Sequence, residues 1–329
     1  MGAVSDWINM GDTSRMRMWL LAVAVALLGS SALHLAGAVD LSKSIYPGPN
    51  FTWLSYLVGG FLFGVGMTLG SGCGSKTLIR VGTGNLKSLV VYIFLGIAAY
   101  MTLRGLLGAF RVGVLEKIAF TLPQGQDLPA LLSLNRAILA ALIGGGMLAF
   151  IYSSRQFRSS FDYTLGGVVT GLVVVGGWYV SGHIGRIAED PNTLQEAFVA
   201  TNTGRMESFS FVAPFAFTLE YLMLWTDKSK IITYGIASAA GVIAGSAAYA
   251  LATRSFRWEG FRDAEDTANH IVGGILMGFG GITALGCTIG QAISGVSTLA
   301  LGSIITFAAI VAGSAATMRY QVWRIERQG

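Results

Sequence analysis

The chain has 329 residues, of which 53% are hydrophobic and only 12% are charged. Soluble domains carry roughly 25% charged residues, so a water-soluble fold of this length would lack the charge to cover its surface. The 45 glycines agree with this, because transmembrane helices use small residues to pack closely. The formal charge of +5 is small and scattered, which argues against nucleic acid as a partner. The composition predicts an all-α integral membrane protein with the lipid bilayer as its surroundings.

The chain contains two cysteines, Cys73 and Cys287. Two are too few for a disulfide framework or for a metal site built from four cysteines. Each lies within a long apolar, glycine-rich stretch, so any chemistry they perform takes place at membrane depth. The sequence has no pattern of metal ligands and no nucleotide-binding loop, and we predict neither a metal nor a cofactor.

Nine apolar segments approach the roughly 20 residues that a membrane-spanning helix needs. In chain order they are 17–39, 51–71, 86–110, 134–152, 161–181, 208–225, 231–252, 268–286 and 292–317. No linker or soluble domain separates them, so we predict one polytopic domain over residues 1–329.

The charges that flank the apolar segments give conflicting indications of the orientation in the membrane. Arg319, Arg324 and Arg327 come after the last segment and favour a cytoplasmic C-terminus by the positive-inside rule. Nine crossings would then place Arg15 and Arg17 on the opposite side. A re-entrant segment counted as a crossing would remove this conflict.

An internal duplication is the most informative feature, with copies at residues 58–89 and 272–303. Seven positions of the first copy recur at one constant offset. They are Val58, Gly59, Gly60, Gly64, Gly66, Gly72 and Cys73, which match Val272, Gly273, Gly274, Gly278, Gly280, Gly286 and Cys287. Because the chain has no other cysteine, the match of this pair in the same register is a strong indication of a repeat. The early glycines of each copy are typical of close helix packing.

Each copy continues into a stretch that favours a break in the helix. The two stretches run from Gly70 to Ser75 and from Gly286 to Gln291. Transporters place broken helices in corresponding repeats and bind substrate between them. A helix that restarts after a break also presents free backbone N–H groups and its positive dipole end, which suit an anion. We expect these N–H groups to belong to Ser75, Lys76 and Thr77 in the first copy and to Thr288 through Gln291 in the second. The candidate substrate-binding residues are Gly72, Cys73, Gly74, Ser75, Lys76, Thr77, Gly286, Cys287, Thr288, Gly290 and Gln291.

Structural explanations compete for several of these residues. An isolated cysteine in a membrane helix is most often packing, although two at matching breaks favour function. Arg80 and Lys87 fit a positive-inside loop as well as a substrate path, whereas Lys76 lies closer to the break. Glu220 lies within a predicted span and is either functional or placed near the interface.

The two cysteine motifs resemble the signatures of the YeeE/YedE sulfur-transport family. The first motif runs Gly72-Cys73-Gly74-Ser75-Lys76-Thr77-Leu78-Ile79-Arg80, and the second runs Gly286-Cys287-Thr288-Ile289-Gly290 followed by Ser294-Gly295-Val296-Ser297-Thr298-Leu299. Weaker similarities occur at Gly176-Gly177-Trp178-Tyr179 and at Ser210-Phe211-Val212-Ala213-Pro214. The resemblance covers most of residues 51–318.

The resemblance implies an hourglass-like helical protein of the bacterial inner membrane, whose repeat loops meet at a central constriction. It implies uptake of thiosulfate, with Cys73 and Cys287 passing the anion inward, and no enzymatic activity. It also implies work with a small cytosolic sulfur-carrier protein. The thiosulfate members carry a further cysteine in the first half, which is absent here. A related sulfur or selenium compound therefore stays open as the substrate.

Two other functions are compatible with the residues. The chain could be a membrane thiol-redox protein in which Cys73 and Cys287 cycle between dithiol and disulfide, although it has no CxxC motif. It could also be a membrane subunit or sensor of a sulfur-oxidation system.

Overall fold

A computed structural model describes residues 2–190 and 194–328 of the chain. The described part is mainly helical, as the composition predicts. Its α-helices are α1 Gly2–Met10, α2 Ser14–Leu35, α3 Trp53–Leu69, α4 Gly74–Gly82, α5 Leu86–Arg104, α6 Leu106–Phe110, α7 Leu128–Leu132, α8 Arg136–Tyr152, α9 Arg155–Arg158, α10 Phe161–Tyr179, α11 Ala213–Met223, α12 Tyr234–Ala252, α13 Ala264–Thr283 and α14 Leu301–Gln328.

Short irregular elements connect these helices. Two antiparallel strand pairs join β1 Asn50–Phe51 to β2 Phe120–Thr121 and β3 Arg186–Ile187 to β4 Ala197–Phe198. A 3₁₀ turn covers Leu41–Lys43, and π-helical turns cover Arg111–Leu115, Val180–Ile184 and Gly290–Gly295.

In the described part, six helical segments are long and apolar enough to cross a membrane. They are Ser14–Leu35, Trp53–Gly82, Leu86–Arg104, Phe161–Ile184, Tyr234–Ala252 and Leu301–Arg327. The chain is thus a multi-pass membrane protein, while the count of nine spans stays a prediction. Helix α8 has 17 residues and α11 only 11, and α13 begins with the acidic pair Glu265 and Asp266.

Four helices form the centre of the bundle: α3 packs on α13 and α14, and α13 packs on α5. Glycines allow the backbones to touch. A Cβ atom on Gly64 would lie 2.2 Å from the carbonyl oxygen of Ile310, and one on Gly278 would lie 2.5 Å from that of Leu95. Such close approach is the usual role of small residues between membrane helices.

Helix α1 and the end of α14 lie at the same end of the bundle. Helix α1 packs on α14, and Trp7 and Arg319 face the same groove. Arg324 near the C-terminus pairs with Glu265 at 2.6 Å. Lys87, at the start of α5, pairs with Asp266 at 2.7 Å. We call this the terminal end of the bundle.

The opposite end, which we call the far end, gathers the starts of α3 and α14. The N–H of Leu301 donates to the carbonyl of Gln126 at 2.9 Å, and the Gln126 side chain donates to the carbonyl of Asn50 at 3.0 Å. These contacts close the bundle at the end opposite the terminal end.

Residues 206–223 run from the far end to the centre and back. Met206 hydrogen-bonds the backbone of Lys43 in the connection between α2 and α3. Phe211 then lies beside Cys287, while Glu220 pairs with Lys230 at 2.7 Å and with Arg104 at 3.5 Å. Arg104 ends α5, which begins at the terminal end. Glu220 is therefore a buried ion-pair partner at the far end.

Candidate functional site

The first break separates α3 from α4. Ser71 adopts the left-handed conformation with φ of 58°, which is uncommon for a residue other than glycine. The N–H of Gly72 donates to the carbonyl of Met67 at 2.9 Å, closing the end of α3. Cys73 is then the N-cap of α4, and the N–H of Thr77 donates to its carbonyl at 2.9 Å.

The second break has the same backbone arrangement after α13. Leu285 has φ of 60°, and the N–H of Gly286 donates to the carbonyl of Gly281 at 2.7 Å. The N–H of Gln291 donates to the carbonyl of Cys287 at 2.7 Å. In both breaks a non-glycine residue takes the strained position, and a cysteine opens the next helical turn. Held strain of this kind is often found at functional sites.

A third segment, Phe209 to Val212, is wedged between the two breaks. A Cβ atom on Gly74 would lie 2.4 Å from the carbonyl oxygen of Phe211, and one on Gly290 would lie 2.6 Å from the hydroxyl of Ser210. The N–H of Phe211 also faces the sulfur of Cys287 at 3.4 Å. Glycine is required at both positions because the segment approaches so closely.

One cavity of about 370 Å³ lies between the breaks and the terminal end of the bundle. We call it the terminal cavity. It brings together Cys73, Ser75 and Lys76 of the first break with Thr288 of the second. Helices α1, α2 and α10 complete its wall, with Arg15, Trp19 and Thr170 among the contributors. Its volume is in the range of ligand-binding pockets.

The terminal cavity favours an anion. Among the described residues its lining includes Lys76 and Arg15 and no carboxylate, and because Arg15 pairs with Asp6 at 3.3 Å, Lys76 provides the unpaired positive charge. The aliphatic part of Lys76 lies against Gly72, where a Cβ atom would come within 3.0 Å of it. The absence of a side chain at Gly72 therefore lets Lys76 fold across the break.

Two small polar groups face this region. The sulfur of Cys73 lies 3.2 Å from the hydroxyl of Ser75. Thr288 is 5% exposed, and its hydroxyl faces the thiol of Cys73 across the two breaks. A thiol is only a weak hydrogen-bond acceptor, so the Thr288 hydroxyl can turn to a bound molecule at little cost.

A second cavity, of about 110 Å³, lies toward the far end and is called the far cavity. Arg111, Glu207 and Gly286 line it, together with Ser210 of the wedged segment. Arg111 pairs with Glu116 at 2.9 Å. Burial raises the pKa of the Glu207 carboxyl above its ordinary value, although the Thr203 hydroxyl donates to it.

Cys287 lies at the boundary between the two cavities. Its neighbour Gly286 lines the far cavity and its other neighbour Thr288 lines the terminal cavity. Cys287 itself is 0% exposed, and its sulfur accepts the N–H of Gly290 at 3.4 Å. Both cysteines are free thiols.

The predicted residues therefore lie close together around the two breaks, but they line different cavities or contact different neighbours. Cys73, Ser75, Lys76 and Thr288 line the terminal cavity, and Gly286 lines the far cavity. Gly72, Gly74 and Gly290 provide room for neighbouring groups.

Two expected backbone donors are not free. The N–H groups of Thr77 and Gln291 bond the carbonyls of Cys73 and Cys287, because each cysteine is the start of the next helical turn. The side-chain amide of Gln291 donates to the carbonyl of Ala284 and so supports the second break. The prediction that these two N–H groups would face an anion is wrong.

Sequence reasoning missed the wall of the terminal cavity and the wedged segment. Arg15 appeared only as a charge flanking a span, and Thr170 had no distinguishing pattern. Ser210 and Phe211 belonged to a weak family similarity, which was the only signal for them.

The arrangement defines a class: a multi-pass helical membrane protein with two cysteine-bearing helix breaks and a cationic cavity beside them. The sulphur transport family matches residues 1–316. The chain belongs to that family.

Two relatives are named thiosulfate transporter TsuA. The one from Escherichia coli (strain K12) is 27% identical over 281 residues, covering 83% of this chain and 75% of the relative. The one from Spirochaeta thermophila is 26% identical over 263 residues, covering 75% of this chain and 71% of the relative.

Proposed function

We propose that this chain takes up thiosulfate across the bacterial inner membrane through a central path that passes both cysteines. The observation that carries the proposal is that Gly286 and Thr288 open to different cavities with Cys287 between them. Membership of the sulphur transport family and the names of the two relatives support thiosulfate as the anion.

In this proposal the far and terminal cavities are the two halves of an hourglass-shaped path, and the breaks form the constriction between them. Residues 206–223 form a re-entrant segment, which is consistent with α1 and the end of α14 lying at the same end of the bundle. Broken backbone at membrane depth is tolerated where it is buried or lines a cavity, and the breaks meet that condition.

The residues of the breaks divide the work of binding and transfer. Lys76 attracts the anion, and Thr288 and Ser75 donate hydrogen bonds to its oxygens. The thiols of Cys73 and Cys287 are weak donors, which suits a polarisable sulfur atom that must bind and then leave. Gly72, Gly74 and Gly290 let Lys76 and the wedged segment pack against the breaks, and Gly286 lines the far cavity. Thr77 and Gln291 hold the two helix starts.

The chain acts in this proposal as a transporter and not as an enzyme, with a small cytosolic sulfur-carrier protein receiving the anion. Thiol-redox cycling and a sensor role are the competing functions, and they give different results in the following test.

The test is uptake of radiolabelled thiosulfate by proteoliposomes that contain only this chain. We expect accumulation above that of empty liposomes, measured with and without a proton gradient. No uptake under either condition would contradict the proposal and favour a sensor or subunit. A reversible two-electron titration of the thiols, without uptake, would favour the redox function.

A further inference from the structure

A third cavity, of about 250 Å³, lies beside the end of α4, toward the terminal end. We call it the polar cavity, because its lining is almost entirely polar. Its charged and titratable members are Arg80, Lys87, Glu259, Arg262, Asp266 and His270. It contains none of the residues that line the terminal cavity.

Both carboxylates of the polar cavity already have partners. Asp266 accepts a hydrogen bond from Lys87 at 2.7 Å, and it also accepts the backbone N–H of Arg262 at 3.2 Å. Its other oxygen lies 3.1 Å from the ring of His270. Glu259 accepts the side-chain amide of Asn85 at 2.6 Å. These pairs hold the wall together and neutralise Lys87.

Two guanidinium groups remain. Arg80 donates to the backbone carbonyl of Ser71 at 3.2 Å, and neither Arg80 nor Arg262 has an ion pair with a carboxylate in the described part of the chain. The polar cavity is lined by three cationic side chains, including the paired Lys87, and by two carboxylates, so its net charge is positive. Guanidinium groups bind oxyanions with two donors each, so a pair of them suits a divalent oxyanion.

The polar cavity also connects to the transport site. Lys76 and Arg80 are four residues apart on α4 and so lie on one face of the helix. Lys76 lines the terminal cavity and Arg80 lines the polar cavity. An anion that leaves the terminal cavity would therefore meet Arg80 one helical turn beyond Lys76.

We infer that the polar cavity is a second binding site for a small divalent oxyanion, held by Arg80 and Arg262. The assignment of the transported anion to this cavity rests on the proposed function. The assignment of an oxyanion in general rests only on the geometry of the cavity. Its occupant is either thiosulfate that has passed the breaks or an oxyanion that enters from solution at the terminal end.

The test is equilibrium binding of radiolabelled thiosulfate to the purified full chain in detergent. Arg262→Gln is the informative variant, because Arg262 is exposed and, unlike Arg80, has no hydrogen bond to the first break in the described part of the chain. We expect two thiosulfate ions per wild-type chain and one per Arg262→Gln chain. Arg324→Gln, which removes an exposed arginine paired with Glu265, is the matched control and should still bind two.

One ion per wild-type chain, or two per Arg262→Gln chain, would overturn the inference. A competition experiment with excess phosphate shows which oxyanion occupies the polar cavity. If phosphate displaces one of the two thiosulfate ions, the site binds oxyanions from solution; if both thiosulfate ions stay bound, the site is specific for the transported anion. Both results support an oxyanion site. Failure of the proposed function is recognised separately, as absence of uptake by wild-type proteoliposomes.

Discussion

Replacing Lys76 by glutamine is expected to lower thiosulfate uptake by about tenfold or more at subsaturating substrate. Among the described residues Lys76 and Arg15 are the cations that line the terminal cavity; Arg15 pairs with Asp6, and Lys76 lies beside the first break. A hydrogen bond to a charged group contributes about 1.5–3 kcal/mol, and 1.4 kcal/mol corresponds to a tenfold change in affinity. The measurement is the initial uptake rate in proteoliposomes over a range of thiosulfate concentrations.

The matched control for Lys76 is Lys228→Gln. Lys228 is exposed in the connection after α11 and lines none of the three cavities described above. Its replacement removes the same charge and should leave uptake unchanged. Equal rates for Lys76→Gln and wild type would show that the terminal cavity does not attract the anion through this side chain.

Replacing Gly64 by valine is expected to destabilise the protein by about 3 kcal/mol or more. A Cβ atom at this position would lie 2.2 Å from the carbonyl oxygen of Ile310 and 2.8 Å from the backbone nitrogen of Ser314. Backbone atoms cannot move aside as a side chain does, so α3 and α14 must separate. Overpacking typically costs about 1–3 kcal/mol, and this contact is at the severe end.

Thermal unfolding of purified protein in detergent measures this effect. We expect the apparent Tm of Gly64→Val to fall by roughly 6–10 °C. Gly145→Val is the control, because Gly145 also lies within a helix but a Cβ atom there meets nothing within 4 Å. Similar melting temperatures for the two variants would contradict the close packing of α3 and α14.

The broad fold was predictable from the sequence because composition and apolar length are local properties. The breaks were also predictable, since glycine clusters weaken a helix wherever they occur. The left-handed residues, Ser71 and Leu285, were not. Neither residue type favours that conformation, and only the packing of each break against its neighbours selects it.

The centre of the site depends on contacts between distant segments, which no local pattern records. Residues 208–225 read as a crossing because they are apolar. In the structure Phe211 reaches the second break and Glu220 returns to the far end. Apolarity alone does not distinguish a segment that crosses from one that enters and returns. Counting this segment as re-entrant, as proposed above, would remove the orientation conflict that the flanking charges raise.

The cation beside the breaks was predicted at Lys76 and lies there, but Arg15 was not foreseen. Its position follows from the packing of α1 and α2 over the first break, and its guanidinium pairs with Asp6 at 3.3 Å. The prediction of free N–H groups at Thr77 and Gln291 was wrong because both groups are already hydrogen-bonded. Each cysteine carbonyl accepts the first hydrogen bond of the following turn.

The central claim is that thiosulfate passes the thiols of Cys73 and Cys287 between the two cavities. The most direct measurement is initial thiosulfate uptake by proteoliposomes containing Cys73→Ser, Cys287→Ser or the wild-type chain in equal amounts. Serine keeps the size and a hydrogen-bond donor but removes the sulfur. We expect each single variant to fall at least tenfold below wild type while both remain folded by thermal unfolding; folded variants that transport at the wild-type rate would contradict the account.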